Sequence, residues 1–170
     1  PKDVLIIGGG AIGLCAAYFL AQGGARVRLV ERARLGAGAS GSSASLLEFQ
    51  TDTDRDADLF LLAGLSRDLF PKLEAEVRAS TGDDFGFEAC GIVNIALNEG
   101  DVDALRAKVE FFQEAGLRAE WFSREELRRS MPQLNAEHLG GALFGEDGQI
   151  VGERFLTAMA TAARKAAAAM

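Results

Sequence analysis

The 170-residue chain contains one histidine, two cysteines, one tryptophan and one tyrosine. A single histidine, His138, excludes a multi-histidine metal site within the chain. Cys15 and Cys90 stand far apart without a CxxC partner, so neither a disulfide framework nor a zinc cluster is expected. Basic residues are also scarce: 18 Lys+Arg stand against 25 Asp+Glu, a net charge of −7. Phosphate backbones need a basic face, so nucleic acid is not expected as the main partner. No apolar run reaches the roughly 18 residues of a membrane span. No basic segment leads into an apolar one as in a secretory leader, and a cytoplasmic location is the expectation. The acidic series Asp52, Asp54, Asp56 and Asp58 lacks the glycine and terminal glutamate of a calcium loop. It reads as a solvated connection, and no metal site is expected.

What is present is ordered from the first residues onward. Val4–Ile7 is a short apolar run, as expected of a parallel strand buried on both faces. Gly8-Gly9-Gly10-Ala11-Ile12-Gly13 follows, then a helical stretch from Leu14 to Gln22 closed by Gly23-Gly24. Val27–Val30 reads as a second strand with Glu31 at its end. Together these make a βαβ unit of the roughly 30 residues that motif requires.

Each glycine of the GxGxxG pattern has a physical reason. Gly8 permits the tight turn, Gly10 lets the backbone approach a pyrophosphate, and Gly13 lets helix and strand pack closely. The helix N-terminus offers free N–H groups and a positive dipole end. Glu31, 18 residues beyond Gly13, can accept hydrogen bonds from both hydroxyls of an adenosine ribose. Its charge disfavours a 2′-phosphate, an exclusion that Arg32 weakens slightly. The glycine- and serine-rich loop from Leu35 to Ser45 can turn N–H groups and hydroxyls toward a phosphate. These features imply a dinucleotide and fit FAD or NAD equally well.

The rest of the chain alternates helices and strands. Leu59, Leu62, Leu69, Leu73 and Val77 fall at helical spacing, with Pro71 expected to kink or divide that helix. Gly91–Leu97 reads as a strand, Asp101 as the N-cap of a helix to Ala115, and Ser123–Glu126 as a capping box. Gly141–Gly145 is a strand candidate, and Glu153–Met170 a last helix with Phe155, Leu156, Met159 and Ala163 on one face. His138, in the polar stretch Asn135–His138, is expected to be solvated, and Cys15 to be a small packing residue. No residue of the chain stands out as a catalytic acid, base or nucleophile.

Val4–Gly13, Glu31-Arg32 and Gly36–Leu46 together resemble the N-terminus of the D-amino-acid oxidase, sarcosine oxidase and glycine oxidase family of FAD-dependent enzymes. Cys90–Val93, Ser123–Pro132 and Asp147–Val151 are similar to later segments of the same family, and the overall pattern leans toward its glycine oxidase-like branch. The resemblance implies an α/β fold, α+β overall: a Rossmann-like FAD-binding domain with a parallel sheet, and part of a mainly antiparallel substrate domain. It divides the chain at 1–80, 81–145 and 146–170, the last returning toward the FAD domain. The implied cofactor contacts are Gly8, Gly10, Ala11, Ile12 and Gly13 at the pyrophosphate, and Glu31 and Arg32 at the adenosine. Ala39 and Ser40 meet the phosphates, and Ala44, Ser45 and Leu46 run beneath the flavin. No covalent flavin link at Cys90 is expected.

The implied reaction oxidises a C–N bond of a small amino acid or amine by hydride transfer to the flavin, which oxygen or another acceptor reoxidises. An NAD-dependent dehydrogenase explains the glycines and Glu31 but not the loop at 36–45. A non-catalytic nucleotide-binding module is the third alternative, since family members are about twice this length. The substrate and the oligomeric state stay open at this point, a homo-oligomer included.

Overall fold

The computed structural model describes residues 2–53, 57–134 and 137–168. Asp54 and Asp56 of the acidic series, Asn135-Ala136 and Ala169-Met170 lie outside the described residues. The chain divides into two compact units.

The first unit comprises residues up to Leu46, Asp68–Phe87 and Ile150 onward. Strand β1 (Asp3–Ile7), helix α1 (Ala11–Gln22) and strand β2 (Arg26–Val30) form the expected βαβ unit. β1 and β2 pair in parallel with Val4 opposite Val27 and Ile6 opposite Leu29. Helix α6 (Gly152–Ala168) packs against α1. Leu14, Tyr18, Leu73, Val77, Phe85, Phe155 and Met159 make the shared core. Phe85 and Phe155 meet edge to face at 5.2 Å, and Phe70 stacks on Phe87 at 6.0 Å. Cys15 packs against this core, and burial pushes its thiol up to about 11, which keeps it protonated and unreactive. The expectation that β1 is buried on both faces is corrected: Leu5 and Ile7 are 59% and 83% exposed. Side chains alternate between the two faces of a strand, and α1 packs against one of them.

The second unit comprises Leu47–Arg67 and Glu88–Gln149. Strands β4 (Ile92–Ala96), β5 (Ala119–Ser123) and β6 (Gly140–Phe144) form an antiparallel sheet in the order β4-β6-β5. Helix α4 (Glu99–Glu114) sets Val109 and Phe112 against Ala119, Ala142 and Phe144 of that sheet. Helix α5 (Arg124–Ser130) starts with the expected capping box, Ser123 N–H donating to Glu126 at 2.7 Å. Among the described residues no helix is long and apolar enough to cross a membrane.

Three further expectations change. The N-cap of α4 is Asn98, not Asp101. Asn98 Oδ1 accepts from Asp101 N–H at 3.0 Å while the Asp101 carboxylate accepts from Asn98 N–H, a reciprocal box that starts the helix earlier. Pro71 does not divide its helix: α3 (Ala57–Thr81) runs through it. Leu73 and Val77 are buried, whereas Leu59, Leu62 and Leu69 of the same stripe are exposed. His138 is buried rather than solvated. Leu139 N–H donates to Ala96 O at 2.8 Å, extending the β4–β6 ladder and drawing the preceding histidine inward. Among the described residues its ring nitrogens have no hydrogen-bond partner.

The second unit also buries a polar network. Strand β3 (Leu46–Leu47) leads into a one-turn helix, α2 (Phe49–Asp52), and the turn is held by Asp147. The carboxylate accepts from Gln50 N–H at 2.5 Å, Thr51 N–H at 3.0 Å and Thr51 Oγ1 at 2.7 Å. Burial raises the Asp147 pKa, and these donors and Lys108 pull it back. Asp147→Ala strands three donors, each costing about 1–3 kcal/mol, and chemical denaturation should show a loss of about 3 kcal/mol or more. Thr51→Val, which removes one donor and leaves Asp147 its two backbone donors, should cost about 1 kcal/mol.

Candidate functional site

The site is built where β1 turns into α1. Gly8 has φ +109°, which a side chain opposes, and its N–H donates to Val30 O at 2.8 Å. A Cβ at Gly13 would lie 2.0 Å from Gly8 O, so no other residue lets the helix come this close to the turn. Gly10 is the N-cap of α1 and supplies no side-chain cap. The first turn of the helix is open, with Ile12 87% exposed.

Glu31 closes this loop from the end of β2. One carboxylate oxygen accepts from Gly9 N–H at 2.8 Å and the other from Ala33 N–H at 2.9 Å. The Gly9 bond first, then the Ala33 bond, hold its pKa below the ordinary carboxylate value, with the Arg32 charge assisting. The glycine- and serine-rich loop docks on the same turn. Gly36 N–H donates to Gly9 O at 2.9 Å, and Ala11 N–H donates to Ser40 Oγ at 3.0 Å. Ala39 and Ser40 lie in a short 3₁₀ turn, Ala39–Gly41. The structure thus brings Gly8–Gly13, Glu31 and Ser40 together.

Ser45, in the middle of the run Ala44–Leu46, is held by other partners. Ser45 adopts φ +62°, the left-handed region that non-glycine residues rarely occupy. Its N–H donates to Ser43 Oγ at 3.0 Å, and its carbonyl accepts from Ile150 N–H at 3.1 Å. Leu46 is partly exposed at the start of β3.

Gly9 was missed in the sequence reading, which assigned a role to its neighbours. It is the junction, bonding to Glu31 through N–H and to Gly36 through C=O. A Cβ there would lie 2.4 Å from the Leu35 side chain. The available signal was three consecutive glycines where the fingerprint needs two. Beside Glu31 lies a cleft of about 280 Å³ with apolar walls from Leu14, Val27, Leu29 and Leu35, and with Arg164 at its rim.

The chain as a whole has counterparts among known proteins. Residues 3–170 match the family model described as FAD dependent oxidoreductase. The chain belongs to the FAD-dependent oxidoreductase family. It is 35% identical over 169 residues to a glycine oxidase of Geobacillus kaustophilus, covering 99% of this chain and 45% of that protein. The crystal structure of a glycine oxidase from the same species superposes with a TM-score of 0.91 at 31% identity, covering 98% of this chain and 46% of that one. A glycine oxidase from Bacillus cereus superposes at 0.86 with 33% identity, covering 98% and 44%. The chain therefore spans about half the length of these relatives. The cofactor of the family is FAD, and the NAD alternative falls.

The lowered Glu31 pKa sets a direction in acid. Unfolded, the group titrates near the ordinary 4.5; folded, it titrates lower. Its contribution to stability is full above the ordinary value and is lost as pH falls through the lowered one. The difference in unfolding midpoint between wild type and Glu31→Gln should be flat near neutrality and shrink below about pH 4.5. A difference that stays constant through acid would show that the Gly9 and Ala33 bonds do not depend on the charge.

Proposed function

We propose that the protein containing this chain is an FAD-dependent oxidase of the C–N bond of a small amino acid or amine, of glycine, sarcosine or D-amino acid type. The observation that carries this reading is the Glu31–Gly9–Ala11–Ser40 constellation at the open N-terminus of α1. The named glycine oxidases among its relatives support the substrate class.

On this reading Glu31 accepts from the ribose hydroxyls, with Arg32 alongside and the apolar cleft at the adenosine end. The backbone of Gly10, Ala11 and Ile12 meets the pyrophosphate, where the dipole of α1 favours negative charge. Gly8 and Gly13 shape that turn, Ala39 and Ser40 close over the phosphates, and Ala44, Ser45 and Leu46 run under the flavin ring. FAD supplies the hydride acceptor, so the chain's own task is to bind, orient and exclude water. We assign the first unit to the FAD-binding domain and the antiparallel sheet to the substrate domain. Oxygen or another acceptor takes up the electrons.

Two measurements test this. The purified protein should be yellow, with flavin absorption bands; a colourless protein that takes up no FAD would remove the reading. Glu31→Ala should weaken FAD binding on the order of ten- to a few hundred-fold, the equivalent of one hydrogen bond to a charged group. Turnover at saturating FAD should recover, because the adenosine end is remote from the reacting ring.

Gly10→Val tests the phosphate end. A Cβ there already lies 3.0 Å from Ser40 Oγ, so the larger side chain displaces Ser40 and fills the space by the backbone. The variant should fold and purify without flavin. Full flavin content would make the glycine a purely structural one.

A further inference from the structure

The left-handed backbone of Ser45 needs an explanation that its own chemistry does not give. A non-glycine residue there is strained and persists only where its surroundings over-determine it. Two of those surroundings come from one short segment of the first unit. Ile150 N–H holds the Ser45 carbonyl at 3.1 Å. Gly152, the first residue of α6, lies against the Ser45 side chain: a Cβ at Gly152 would sit 2.2 Å from Ser45 Oγ and 3.3 Å from Ser45 Cβ. Rotating the hydroxyl away still leaves Ser45 Cβ at 3.3 Å, so the two segments must also shift by a few tenths of an ångström. The rotation also breaks the 3.4 Å bond from Ser45 Oγ to Ser43 O.

Backbone conformation does not require the glycine: its φ is not in the left-handed region, and as the first residue of α6 it lies outside the helix interior where propensity would decide. The glycine is therefore accounted for by what it touches, and what it touches is Ser45.

We propose that Gly152 is a positioning residue for the flavin: its missing side chain lets the start of α6 seat Ser45 in its left-handed conformation, and so sets the path of Ala44–Leu46 beneath the ring. This rests on the assignment of that run to the flavin. Ser45 and Gly152 are thus a matched pair, and the pair can be mismatched and re-matched.

The test compares the purified holoprotein with Gly152→Ala, Ser45→Gly and the double variant, reading the visible flavin spectrum, the flavin midpoint potential and the rate of anaerobic flavin reduction by glycine. In Gly152→Ala the flavin bands and potential should shift. Its reduction rate should fall about ten- to a hundred-fold, the scale of a displacement below or near 1 Å at a reacting centre. The double variant should recover most of the wild-type spectrum, potential and rate, since glycine at 45 removes the clashing side chain and suits the positive φ.

A Gly152→Ala protein with unchanged spectrum, potential and rate would overturn the proposal. So would a slow variant that Ser45→Gly does not rescue. If Gly152→Ala does not purify with flavin, the double variant decides: recovery of a loaded protein supports the pair, and failure of both overturns it. A wild-type protein without flavin bands would instead remove the FAD reading on which the pair rests.

Discussion

A Cβ at position 13 would lie 2.0 Å from the carbonyl oxygen of Gly8, and the rest of the candidate site follows from its absence. With no side chain there, α1 starts hard against the turn out of β1, and its first N–H groups open at the sheet edge. Gly8 can take φ +109° while its N–H reaches Val30 O, which ties the turn to the end of β2. Glu31 is the next residue, and its carboxylate falls on Gly9 N–H. Leu35 packs where a Gly9 side chain would stand, and Gly36 closes on Gly9 O. Each contact needs the one before it, so the constellation is a consequence of chain path rather than of independent placements.

The parts of this that were legible in the sequence are those set by local chemistry. The βαβ unit follows from a four-residue apolar run, a glycine fingerprint and an acid at a fixed distance. The box at Ser123 and Glu126 follows from residue types three apart, and the antiparallel strand at Ile92–Ala96 from its apolar run. Asn98 was passed over because Asp101, three residues on, is an equally good capping residue, and only the reciprocal bond tells N-cap from N3. Pro71 sits inside α3 without dividing it, and Leu73 and Val77 just beyond it pack into the core.

What the sequence did not disclose is set by partners distant in the chain. His138 sits among polar residues, yet a single ladder bond at Leu139 carries it inside. Ser45 has no feature in sequence that announces φ +62°; the reason lies more than a hundred residues on, at Ile150 and Gly152. Asp147, almost a hundred residues away in sequence, is the acceptor for a helix turn at Gln50–Thr51. Long-range polar closure of this kind leaves no periodicity to read.

The two anchors of the proposed cofactor site differ in what they have to give up when a ligand arrives. Each Glu31 oxygen already accepts one backbone N–H, but a carboxylate oxygen can accept a second bond. Ribose hydroxyls therefore add to the existing pair of bonds, and the turn stays closed while they bind. Ser40 is different, because its oxygen occupies the Ala11 N–H at the head of α1. A phosphate oxygen taking that N–H displaces the hydroxyl, which is then free to donate to the same phosphate. That exchange gives up one hydrogen bond within the chain and makes two to the phosphate, and charge meeting the helix dipole adds to it. Screening by salt should act mainly on the phosphate end.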